Sequence, residues 1–176
     1  MADYFGAAIW IGGDVCRRTA RRLCKFIYEA GVSTDWDAAI FTPQHPQDQV
    51  EVCRQETEGP LLFLFDSQAR YGEFDSLETF LVRHEIAFMR QSDGHFEYHP
   101  ELIEYRPGIG RISFPTDSGG ESLVALSIAQ SAEQALKSLL SERTRSISRH
   151  SIGRVWRDLR RQLPPQVPRI TPFRIV

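Results

Sequence analysis

Apolar positions along the first 115 residues alternate between two spacings. Ala7-Ala8-Ile9-Trp10-Ile11 is a short apolar run closed by Gly12-Gly13, the pattern of a buried strand ending in a turn. Asp14 then stands where a helix N-cap belongs. Behind it Cys16, Ala20, Leu23, Cys24 and Ile27 recur at three- and four-residue spacing, and Gly31 takes the C-terminal stop. The outer face of that helix carries Arg18, Arg22 and Lys25 in one stripe, with Arg17 and Arg21 beside it. Ala38–Phe41 reads as a strand, and a short helix fits Asp48–Glu56. Leu61-Leu62-Phe63-Leu64-Phe65 is a continuous apolar run, as in a central strand covered on both faces.

The same alternation then repeats. Asp75 with Glu78 three residues on makes a capping box, and Leu77, Phe80, Leu81 and His84 line one side of the helix that follows. Ala87–Pro100 holds two strand-like runs around Asp93-Gly94, a dipeptide suited to the left-handed conformations of a hairpin turn. Residues 102–106 and Arg111–Phe114 supply further strands on either side of Pro107-Gly108. Strand, glycine-containing turn, helix, strand thus occurs twice. The pattern predicts an α+β fold with a ferredoxin-like split βαβ sheet and two helices on one face.

Beyond the sheet the period becomes helical. After a second capping box at Ser118–Glu121, Val124, Ile128, Ala132, Ala135, Leu136, Leu139 and Leu140 form the buried stripe of a long helix over about 121–141. A break falls at Ser146–His150. Ser151–Leu163 is a shorter helix in which Ile152, Val155, Trp156 and Leu159 oppose Arg154, Arg157, Arg160 and Arg161. Pro164, Pro165, Pro168 and Pro172 then favour an extended tail, whose closing Phe173–Val176 can add a strand to an edge. The expected organisation is one α+β domain over 1–141, with a sheet body at 1–115, and an Arg/Pro-rich appendage at 142–176.

Charge changes this picture most. Residues 142–176 hold nine arginines against Glu142 and Asp158, a net of +7. The 141 residues before them hold 12 basic and 21 acidic groups, a net of −9. The formal net charge of −2 therefore hides a dipolar chain. With 41% hydrophobic and 25% charged residues the composition is that of an ordinary globular protein, and no apolar run approaches the roughly 20 residues that span a bilayer. The N-terminus carries no basic leader before an apolar stretch. Cys16, Cys24 and Cys53 are odd in number and lack C-x-x-C spacing, which argues against a disulfide framework or structural zinc and for a cytoplasmic setting.

Candidate chemistry is sparse. In a strand, His95, Glu97 and His99 would share one face and Phe96 and Tyr98 the other, which makes the three polar groups metal or acid–base candidates. The simpler reading is the wet side of a hairpin. Gly12-Gly13-Asp14 lies between a strand and a helix, yet lacks the dinucleotide and P-loop patterns and puts an acid at the anion position. Asp66 follows an apolar strand without an obvious partner. No G-x-S-x-G elbow or cysteine nucleophile motif is present. No cofactor is implied.

The basic end admits three readings. Its arginines and Trp156 contact nucleic acid, or they dock on an acidic protein groove, or the helix packs its apolar face on the acidic body as an intramolecular clasp. Residues Arg154, Trp156, Arg157, Arg160, Arg161 and Arg169, with Arg18 and Arg22 on the first helix, are the candidate contacts. The expectation is a non-enzymatic binding protein, a small regulator or inhibitor that docks on a protein or nucleoprotein complex through charged surfaces. Direct DNA or RNA binding is the first alternative, and a metal-dependent enzyme around His95, Glu97 and His99 is the second.

Overall fold

The computed structural model describes residues 3–57, 59–95, 97–117, 121, 123, 126–141, 149–162 and 167–176. In chain order the elements are β1 (Tyr4–Ile11), β2 (Asp14–Val15), α1 (Arg17–Ala30), α2 (Pro46–Glu51), β3 (Arg54–Glu56), β4 (Gly59–Arg70) and α3 (Asp75–Arg83). They continue with β5 (Phe88–Ser92), β6 (Glu101–Arg106), β7 (Gly110–Pro115), α4 (Leu126–Ser141), α5 (Arg149–Gln162) and β8 (Arg174–Ile175). Six strands form one sheet in the order β3-β4-β1-β5-β6-β7, antiparallel at every pairing, so the class is mixed α+β.

β1 and β4 are direct antiparallel neighbours, from Tyr4 opposite Arg70 to Ile11 opposite Leu62. The chain places α2 and β3 between α1 and β4, and β4, the second arm of the β3–β4 hairpin, returns against β1. β4 and β5 both oppose β1 and so point the same way on either side of it.

Alternation along β1 divides the side chains between two faces. Ala7, Ile9 and Ile11 join Leu62, Leu64, Phe88 and Ile103 beneath Ala20, Leu23 and Ile27 of α1 and Leu77, Phe80 and Leu81 of α3. Each such aliphatic or aromatic side chain contributes about 1.5–3 kcal/mol by leaving water. The apolar run of β4 is covered on both faces, as its sequence predicts: Leu61, Phe63 and Phe65 are also buried, on the side opposite Leu62 and Leu64. Trp36 stacks on Phe65 at 4.7 Å, and Arg54 lies 3.8 Å from the centre of the Phe63 ring.

Several boundaries differ from the sequence reading. Ala38–Phe41 forms only an isolated bridge, Ile40 to Ser33, and Ser33 also exchanges both backbone hydrogen bonds with Phe65. The helix expected at Asp48–Glu56 is α2 followed by strand β3, which pairs with β4. Asp14 belongs to β2, and Cys16 takes the N-cap of α1. The hairpin strands β5 and β6 are joined by residues 93–100. Within that connection His95 and Tyr98 close on each other through both backbone N–H groups. A turn at 95–98 does not alternate faces, so His95, Glu97 and His99 lose the shared face that a strand would give them; Phe96 lies outside the described residues.

The proline-bearing tail is part of the sheet unit. Ile170 and Phe173 are buried, β8 pairs in parallel with β2, and Phe173 N–H donates to Pro60 O at 2.8 Å. Gly12 permits this approach: a Cβ there would overlap the Thr171 carbonyl oxygen. By compactness the chain forms two units, residues 1–122 with 167–176, and residues 123–166. In the second unit α4 turns Ile128, Ala132 and Ala135 partly inward while Leu136 is exposed. The expected start of α4 at 122 and 124–125, the capping residues 118–120, the break at 146–148 and prolines 164–165 lie outside the described residues.

Candidate docking surfaces

α5 follows from its own sequence, with apolar residues at three- and four-residue spacing and Arg160 and Arg161 in its last turn, where cations suit the carbonyl end. Ile152 and Trp156 lie one turn apart and are 49% and 63% exposed. Arg154, Arg157 and Arg161 occupy the opposite face at helical spacing, and Arg160 flanks Trp156 at the next turn. Arg157 Nε donates to Gly153 O at 3.1 Å, and Arg161 meets Asp158 at 4.0 Å between exposed side chains. Exposed pairs of that kind contribute under about 1 kcal/mol.

The other candidate residues are placed elsewhere. Arg18 is exposed in the first turn of α1, beside Cys16. Arg22 lies 5.6 Å from the Phe80 ring centre and lines a groove with Phe26, Asp75, Thr79 and Arg83. Arg169 borders a cleft of about 310 Å³ in the sheet unit, with Trp10, Glu56, Glu104 and Arg106. There Trp10 Nε1 donates to Glu56 at 3.2 Å, and Arg106 pairs with Glu104 at 3.0 Å. Burial holds the Glu104 carboxyl above its ordinary range, and Arg106 opposes that rise. The eight residues thus divide between α5, α1 and the tail.

The remaining motifs find structural work. His95 stacks on Phe5 at 5.8 Å, and His99 lines a separate cleft with Phe5, Tyr71 and Glu101. No group of three His, Cys, Asp or Glu among the described residues is arranged to hold a metal ion. Asp66 accepts from Gln68 N–H at 2.9 Å, as a loop aspartate does. Among the described residues no helix is long and apolar enough to cross a membrane.

A buried charge network went unread in the sequence. Arg90, fully buried on the helix face, lies 2.9 Å from Glu78 of α3 and 3.0 Å from Glu101, and donates to Gly72 O at 2.6 Å. Arg111 holds the second Glu78 oxygen at 3.2 Å. The signal was present: Phe88, Arg90 and Ser92 alternate, so Arg90 shares the inward face of Phe88.

Comparison with protein-family models, with curated proteins and with solved structures finds no match, which leaves geometry and charge to carry the functional reading.

Proposed function

We propose that the protein is a non-enzymatic binding protein, a small regulator that docks on an acidic protein or nucleoprotein surface with α5 as its anchor. One observation carries this reading. α5 leaves a tryptophan and an isoleucine open to water on one face while presenting arginines on the other. Tryptophan and arginine are the residue types that most often dominate interface energy, and an amphipathic helix with an uncovered apolar face suits a partner's groove. Arg154, Arg157, Arg160 and Arg161 set the sign of that partner as acidic.

The test titrates labelled polyglutamate, duplex DNA and single-stranded RNA with the full chain and with a Trp156→Ala/Arg157→Gln variant. The reading expects salt-sensitive binding of the acidic polypeptide, weakened about tenfold or more in the variant. Equal binding by both proteins, or none at low salt, contradicts it. Binding confined to nucleic acid, with a steep salt dependence, assigns the same arginines to phosphates and replaces protein docking with direct DNA or RNA binding.

A further inference from the structure

We propose that the cleft beside the turn between β4 and α3 binds a small organic ammonium ion. The cleft measures about 320 Å³, at the lower end of the roughly 300–1,000 Å³ typical of small-molecule sites. It therefore suits a ligand of a few carbon atoms. Phe5, Tyr71 and Tyr98 form its aromatic wall, and Glu73, Glu101 and Ser92 its polar side.

Three carboxylates in this region, Glu73, Glu78 and Glu101, share two guanidinium groups, Arg90 and Arg111. Arg90 lies 2.9 Å from Glu78 and 3.0 Å from Glu101, and its third nitrogen donates to Gly72 O at 2.6 Å. Arg111 holds the second Glu78 oxygen, and Ser113 Oγ donates to Glu101 at 2.6 Å. Glu73 is left with a long 3.9 Å approach to Arg90 and has no other ion pair among the described residues. Burial first, and then the Asp75 carboxyl, raise the Glu73 pKa, while Arg90 opposes the rise. A cation in the cleft would give Glu73 a close partner. Ser92 supplies a second, independent sign of a ligand. It is 4% exposed, borders the cleft, and its hydroxyl makes no hydrogen bond among the described residues. An ammonium N–H donor would satisfy it.

The aromatic side suits the same charge. The Tyr98 ring centre lies 5.7 Å from that of Phe5 and 5.9 Å from that of Tyr71, and ring faces attract cations. Arg70 already approaches Tyr71, 5.5 Å from its ring centre, without lining the cleft. Tyr98, 42% exposed, is the ring most open to a ligand. Among the described residues the acids are not grouped to coordinate a metal ion, and an aromatic wall favours an organic cation. The wall is set before any ligand arrives. Tyr71 has a φ of 55°, in the left-handed region that a bulky residue rarely adopts, and its N–H donates to Asp3 O at 2.8 Å. Gly72 beside it lets Phe5 and Ser92 close in, because a Cβ there would overlap both. All of these groups belong to the sheet unit, so the site is independent of α5 and of the docking role proposed for it.

The experiment is calorimetric titration of the full chain with butylamine, butanol and magnesium chloride. His99 also borders the cleft, so the titrations are run at about pH 8, where free imidazole is neutral and an alkylamine is charged. The variants are Glu73→Gln, Tyr98→Leu and Glu97→Gln, the last an exposed acid near Tyr98 that does not line the cleft. The expected result is saturable one-site binding of butylamine with none of butanol or magnesium. Affinity should fall at least about tenfold in Glu73→Gln and about threefold in Tyr98→Leu, and stay unchanged in Glu97→Gln. Three results would overturn the proposal: no saturable binding of butylamine, equally tight binding of butanol or magnesium, or the same affinity in Glu73→Gln as in Glu97→Gln, which would indicate diffuse attraction. Thermal midpoints of all variants establish that they are folded. Should either Glu73→Gln or Tyr98→Leu unfold, the other carries the comparison.

Discussion

At the scale of single residues, Arg90 and Glu78 depend on one another. Both are buried, and removing one would leave the other charged in a dry environment. Arg90→Ala is expected to cost about 3–5 kcal/mol in urea denaturation. Arg111→Ala, which removes a 45% exposed partner of the same carboxylate, should cost under about 1 kcal/mol. Equal losses would mean that the network is not centred on Arg90. The three thiols also separate by environment. Hydrogen bonds from Thr19, then its backbone and that of Arg18, lower the pKa of the exposed Cys16, whereas burial pushes Cys53 up to about 11 and also raises Cys24. Iodoacetamide at neutral pH should label Cys16 first, with mass spectrometry locating the adduct; first labelling of Cys53 would contradict that order. The inward face of Arg90 was legible from alternation with Phe88. Its partners were not, because sheet register and helix docking decide which acids reach it.

At the scale of elements, α3 carries a pH dependence. Burial, followed by Arg22 and Arg83, lowers the pKa of His84 at its C-terminal end. The folded chain then favours the neutral imidazole, and the unfolded chain takes up the proton first. Stability is unaffected by His84 well above its ordinary value near 6.5 and declines as pH falls through that value. Urea midpoints at about pH 7.5 and 5.5 should differ less for His84→Gln than for the parent chain; an unchanged difference would remove His84 from the account. The tail is the second element-scale case. Gly12→Ala places a Cβ against the Thr171 carbonyl oxygen and should cost about 1–3 kcal/mol while making residues 167–176 more open to proteolysis. A fully stable Gly12→Ala chain with a protected tail would contradict the packing described. The strand β1, helices α1 and α3 and the apolar run of β4 were readable because each buries a continuous stripe against the core. Ala38–Phe41 was not, since four apolar residues do not say whether a partner strand runs alongside them, and here only the Ile40–Ser33 bridge forms. The 95–99 segment failed for a related reason: a turn inside the hairpin connection broke the alternation on which its shared face rested.

At the scale of the whole molecule, charge segregation was the most legible feature, because summing residues needs no fold. The described arginines of residues 142–176 are divided between the two units, however. Arg154, Arg157, Arg160 and Arg161 belong to the unit of α4 and α5, while Arg169 and Arg174 return with the tail to the sheet unit. The closing strand was legible in the sequence, but not the edge that receives it, since Gly12 and Pro60 on the receiving side lie far from the tail along the chain. The apolar face of α5 was readable from its spacing, but whether the face was covered depended on tertiary packing. Its exposure supports the docking proposal. The most direct measurement is quantitative affinity capture from cell extract, comparing the parent chain with Ile152→Ser/Trp156→Ala and with equal thermal midpoints established first. The account expects acidic partners retained by the parent chain, released by moderate salt and lost from the variant. Retention of the same partners by both chains would contradict α5 as the anchor.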